Sequence, residues 1–378
     1  MTGGSATAAH ASRVGWIDLA RGVSIILIVE YHVWKGLEES HVVHPPPSWF
    51  EYADRSIGMA RMGLFFFVSG LFIGRAVQRP AAEFVADKAR TIVWPYFVWT
   101  TAFVLANAAM SKLAGTNPDD TLGELPVGLL ARPVGVYWFF YVLFLSFMLF
   151  VSLWKAGASR LAIFLVGVAL MFVQVNVTFD FVAFDIAGRH FSLGSWGPMF
   201  QTMSYFAYLA LGALLAKVVL SSLHRQHPVA LGVVAGIATA VVVVIVFHGG
   251  ARTDLVDVGS VHLPVGQIYV AIGLAAALAG AAFIDRYLPT GWARRLGQFS
   301  LYIFVLHVLF TSATRIALEH AGVDQFPVQL VAGTVIGVIC PLAVALLVQR
   351  VGGEFLFVFP RRRIATATTT TATSSTVS

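Results

Sequence analysis

Residues 17–34, "IDLARGVSIILIVEYHVW", place Asp18, Arg21, Glu30 and His32 inside a stretch long and apolar enough to cross a bilayer. Each costs free energy in hydrocarbon, and ionisable side chains at membrane depth commonly mark a pathway or a reaction. Histidine is the side chain whose ordinary pKa lies nearest working pH, so His32 is a candidate general base. Arginine carries a planar fork that makes paired hydrogen bonds to phosphate, so Arg21 is a candidate anion ligand. On a helix at about 100° per residue, Asp18, Arg21, Ile25, Val29 and His32 share one face, with Arg21 and His32 roughly 16 Å apart along the axis. Glu30 points nearly the opposite way. A bland reading is also open. Arg21 could snorkel to an interface, Asp18 could favour the first helical turn, and His32 could be an interfacial hydrogen-bonding residue.

The rest of the chain supplies the frame for that stripe. Of 378 residues, 58% are hydrophobic and only 12% charged, against about 25% charged in soluble domains. The expected fold is all-α and polytopic. About ten spans are expected, near 16–34, 57–75, 91–110, 134–154, 160–178, 198–219, 229–248, 264–284, 297–315 and 328–350. The second is marginal because Arg61 stands near its start. Lys and Arg favour the side of the N-terminus by roughly two to one, so both termini are expected in the cytoplasm and the location is the cell inner or plasma membrane. The expected organisation is a disordered 1–12, a membrane domain over 13–350, and a basic, Thr-rich cytoplasmic tail over 351–378. The single Cys340 excludes an intramolecular disulfide. The net charge of +6 follows from topology and gives no reason to invoke nucleic acid. No ligand set for a metal is visible; His41 and His44 stand beside three prolines and lack a third partner.

Four further stretches carry chemistry-bearing residues. "FFFVSG" holds Ser69 and Gly70, and "KARTIVWPY" holds Lys88, Arg90, Pro95 and Tyr96. "WFFYVLF" begins at Trp138, and "LGQFSLYIFVLH" runs from Leu296 through Ser300 to His307. Bland readings accompany them too: a Ser-Gly pair lets helices approach, Trp138 suits a membrane interface, and His307 could bond a backbone carbonyl.

Taken in order, these stretches resemble the integral membrane acyltransferase-3 superfamily, especially its fucose 4-O-acetylase-like branch. The first motif matches at Arg13, Ile17, Asp18, Arg21, Gly22 and His32, and the late motif at Leu296 to His307. Glu30 departs from the pattern, which has an apolar or small residue there. The resemblance implies transfer of an acyl group, commonly acetyl from acetyl-CoA, to a hydroxyl of a sugar, a cell-envelope glycan or a related small molecule. On that footing His32 is the expected base, and Arg21, Lys88 and Arg90 are the expected ligands of the CoA phosphates. Asp18, Glu30, Ser69, Trp138, Ser300 and His307 are further candidates. The expected partners are acyl-CoA, a carbohydrate or other hydroxyl acceptor, and the lipid bilayer. A secondary transporter or flippase for a sugar-like or lipid-linked solute is the alternative that hydropathy alone permits.

Overall fold

The computed structural model describes residues 4–40, 49–51, 53–54, 60–114, 125–177, 183–186, 189–192, 197–222, 226–249, 256–258 and 261–360. The segments 1–3 and 361–378 of the expected termini lie outside them. The helices are α1 (Gly4–Ser40), α2 (Arg61–Leu71), α3 (Ile73–Ala76), α4 (Ala81–Lys88), α5 (Trp94–Ala114), α6 (Leu125–Leu130) and α7 (Trp138–Lys155). They continue as α8 (Arg160–Asn176), α9 (Gly197–Ser222), α10 (Pro228–Gly249), α11 (Val265–Tyr287), α12 (Gly291–Gln298), α13 (Ser300–His320) and α14 (Phe326–Arg350). Among the described residues the protein is all-α apart from two small hairpins, which hydropathy did not disclose. One pairs β1 (Ala183–Ile186) with β2 (Arg189–Ser192), the other β3 (Val256–Val258) with β4 (Val261–Leu263). Asn176 at the end of α8 fastens the second hairpin, donating to the His262 carbonyl and accepting from its amide at 2.7 and 2.8 Å.

Each expected span overlaps helix where its residues are described. Among the described residues, six helices are long and apolar enough to cross a membrane. The polar residues of α1 exclude it from that set, and α2, α8 and α10 are shorter apolar helices. The long apolar helices make this a multi-pass membrane protein.

Helix α1 lies at the centre and packs against α2, α11, α12, α13 and α14. It runs from Gly4 to Ser40. Two crossings set the architecture. At the first, a Cβ on Gly22 would stand 1.9 Å from the Ala293 carbonyl oxygen, and one on Gly297 1.9 Å from that of Asp18. The backbones of α1 and α12 therefore touch, which only glycine permits at both positions. At the second, Gly70 of α2 and Gly212 of α9 meet the opposite backbone in the same way, at 1.9 and 2.0 Å.

Proline shapes the entry to α5. Pro95 has no amide hydrogen and its ring would strike the carbonyl one turn back. Residues Ala89–Val93 respond with a π-turn, in which the Trp94 amide donates to the Ala89 carbonyl. Beyond α14 the chain stays against the core as far as Phe359. Trp94 and Trp99 donate from Nε1 to the Phe355 and Leu356 carbonyls at 2.6 and 3.1 Å, and Phe357 is fully buried between Trp99 and Tyr302.

Candidate functional site

The stripe on α1 finds its counterpart on α13. The rings of His32 and His307 meet edge to face with centroids 5.0 Å apart. His32 Nδ1 stands 2.8 Å from the Ile28 carbonyl oxygen, and His307 Nδ1 stands 2.7 Å from that of Phe304 and 3.2 Å from that of Ile303. A carbonyl oxygen can only accept, so Nδ1 carries the proton in each neutral ring and the lone pair sits on Nε2. Each helix thus aims an accepting nitrogen away from its own backbone. His307 is wholly buried, and its Nε2 has no hydrogen-bond partner among the described residues. A buried polar atom left unpaired costs about 1–3 kcal/mol, a cost that a functional group commonly bears and a packing residue seldom does.

The ring of His307 is held from behind by aromatic side chains. Phe304 lies 5.8 Å from it, and Phe139 lies 5.0 Å from Phe304. Tyr137, fully buried, donates to the Val305 carbonyl at 2.9 Å and ties α7 to α13 beside the histidine. Phe139 continues to Phe66, which stacks on Tyr205 at 4.9 Å; Trp138 tilts against the same tyrosine at 5.6 Å. Trp138 therefore joins the wall of this cluster.

At the other end of the stripe, Arg21 donates from Nη2 to the Ser300 hydroxyl at 2.8 Å, and its Nη1 lies 3.8 Å from Asp18. Gln298 Nε2 reaches the other Asp18 oxygen at 3.4 Å. These contacts sit at the Gly22 and Gly297 crossing: Arg21 adjoins the Gly22 contact, and Asp18 supplies the carbonyl of the Gly297 contact, three residues before Ser300. The guanidinium is 31% exposed, so it keeps donors for a ligand.

The structure separates the remaining candidates. Lys88 lays its ammonium 4.3 Å from the centre of the Phe147 ring and 5.6 Å from that of Phe84. Arg90 stands in the π-turn. Among the described residues, no hydrogen bond or ion pair joins either to the Arg21 cluster. Ser69 donates to the Phe65 carbonyl at 2.7 Å, one turn back on its own helix. It belongs to the α2 and α9 crossing and makes no contact with the histidines among the described residues.

Glu30 belongs to a second cluster, whose members the sequence did not bring together. Arg61 lies 3.8 Å from Glu30, pairs with the Asp54 carboxylate, donates to the Asp54 carbonyl at 2.9 Å, and covers the Tyr31 ring at 5.0 Å. Arg61 is only 6% exposed. Its position inside the marginal second span was the available signal, since a buried arginine requires carboxylate partners.

A multi-helix membrane protein with a histidine pair, His307 of it wholly buried, at one end of a polar stripe and an arginine at the other is the class that these features define. The profile of the acyltransferase domain family, Acyl_transf_3, matches residues 14–346. The chain belongs to that family. It is similar to the nodulation protein NolL of Mesorhizobium japonicum, 25% identical over 174 residues that cover 42% of this chain and 43% of NolL. The chain thus aligns with less than half the length of that relative. No solved structure matches it.

Proposed function

We propose that this protein transfers an acyl group, acetyl in the first instance, from acyl-CoA to a hydroxyl of a carbohydrate or related acceptor, with His32 as general base. In this reading about ten helices span the inner or plasma membrane with both termini in the cytoplasm. The observation that carries it is the pairing of His32 with His307, both with Nδ1 tied to backbone carbonyls and Nε2 turned away. His32 Nε2 takes the acceptor's proton as the hydroxyl oxygen bonds to the thioester carbonyl carbon. The carbon–sulfur bond then breaks, and the proton passes from His32 to the departing thiolate. His307, packed edge to face against the His32 ring, holds that ring in position. Arg21, positioned by Ser300 and Asp18, would hold a CoA phosphate, with Lys88 and Arg90 as supporting cations on the same side of the membrane. Membership of the acyltransferase family favours this over the transporter reading.

The test uses the purified protein in liposomes with acetyl-CoA and candidate sugar acceptors. The proposal expects free CoA to appear only when an acceptor is present, together with an acetylated product by mass spectrometry. Accumulation of the sugar across the vesicle wall without thioester consumption would instead establish the transporter.

A further inference from the structure

Helix α1 has a second working face. Leu19, Ala20, Val23, Ser24 and Leu27 lie roughly 170° around the helix from the His32 stripe, and Glu30 and Tyr31 extend that opposite face by one turn. Leu19, Ala20, Val23, Ser24 and Leu27 form one wall of a cavity of about 460 Å³, within the range of sites that hold a small molecule or a single chain. The facing walls come from α10, α11 and α12. Helix α11 is one of the helices able to cross a membrane. Its contribution is Gly273, Ala276, Ala277, Gly280, Ala281 and Ile284, a smooth surface without a polar side chain. Val23, Ile284 and Trp292 on the lining are 43%, 41% and 66% exposed, so the cavity opens sideways to lipid.

One end of this groove is polar. Arg61 lines it, is buried to all but 6%, and its Nε has no hydrogen-bond partner among the described residues. Within the same cluster Glu30 and Asp54 set two carboxylates against one guanidinium. That balance repels a phosphate headgroup. It suits a hydroxyl, which can accept from the Arg61 guanidinium and donate to a carboxylate oxygen. Apart from the small hydroxyl side chains of Ser24, Thr239 and Thr290, the remaining wall is apolar, and an occupant of such a wall at membrane depth is drawn from the bilayer itself.

We infer that the groove between α1, α10, α11 and α12 is a lipid site that holds the hydrocarbon chain of an uncharged, hydroxyl-headed bilayer lipid, with the head against Arg61, Glu30 and Asp54. The site faces away from the histidine pair and does not depend on acyl transfer. It also gives Glu30 a role that the family pattern does not.

The experiment uses the full-length protein in lipid nanodiscs containing either glucosyl diacylglycerol or phosphatidylglycerol, each with a photoreactive diazirine in the same acyl chain. Cross-linked peptides are mapped by mass spectrometry. Labelling of residues 19–27 and 273–284 is expected to be at least about tenfold greater with the glucosyl lipid, a discrimination of one hydrogen-bonded headgroup. Ala277→Phe on α11 and Thr239→Trp on α10 fill the groove from different helices, and each is expected to abolish most of that labelling. Unfolding temperature identifies a variant that has lost its fold, in which case the other decides. Equal labelling by the two lipids, labelling elsewhere on the surface, or indifference to both substitutions would overturn the assignment.

Discussion

Replacing Gly297 with alanine tests how the Arg21 end of the stripe is built. The added Cβ would stand 1.9 Å from the Asp18 carbonyl oxygen, where real Cβ atoms keep at least 3.0 Å. Both atoms belong to helical backbone, so no side chain can swing aside. Helices α1 and α12 must part by about 1.1 Å, an overpacking that costs roughly 1–3 kcal/mol. The Arg21 to Ser300 hydrogen bond is 2.8 Å long and joins α1 to the first residue of α13, two positions beyond the end of α12, so a displacement of that size passed on to Ser300 takes it past bonding range. Losing a hydrogen bond to a charged group costs about 1.5–3 kcal/mol, or roughly 10- to 150-fold in an equilibrium constant. Gly297→Ala is therefore expected to raise KM for acyl-CoA by at least about tenfold while lowering the unfolding temperature. Gly291→Ala is the control: it lies on the same helix, and a Cβ there meets nothing within 4 Å. Steady-state kinetics with acetyl-CoA varied at saturating acceptor give the comparison. If Gly297→Ala matches Gly291→Ala in both KM and stability, the crossing does not position Arg21.

Other expectations follow from the same geometry. Arg21→Lys keeps the charge but loses the fork, and should raise KM for acyl-CoA with little change in kcat, read in the same assay. Arg61→Ala leaves Glu30 and Asp54 facing each other without a cation, and should destabilise by about 3–5 kcal/mol; Glu30→Gln retains the Arg61 to Asp54 pair and should cost much less. Thermal unfolding in detergent separates the two. Truncation after Pro360 should leave stability unchanged, whereas Phe357→Ala empties a fully buried aromatic site and should cost about 3–5 kcal/mol by the same measurement.

The sequence disclosed the parts of this molecule that follow from local rules. Apolar length located the helices, and the 100° period put Asp18, Arg21 and His32 on one face. The motif that carries Arg21 also carries Gly22, whose missing side chain lets α1 touch α12. Residues that act across long separations stayed hidden. His307 meets His32 from a helix nearly three hundred residues away, and no spacing rule reports an edge-to-face contact between separate helices. Glu30 stands off the stripe and departs from the family pattern, and its partner Arg61 lies on another helix, so no spacing within the first span connects the two. Phe357 lies just before a low-complexity tail, and composition alone assigned it to that tail, although Trp99 and Tyr302 enclose it. The π-turn before Pro95 follows from proline's chemistry, but the sequence does not specify which local distortion relieves the clash.

The central claim is that His32, paired with His307, performs proton transfer in acyl transfer to a hydroxyl. The most direct measurement is single-turnover transfer from labelled acetyl-CoA in His32→Ala, with acetyl-CoA binding measured on the same sample. The account predicts a fall of about 10²- to 10⁴-fold in the transfer rate with binding retained. Transfer at the wild-type rate in His32→Ala would contradict it.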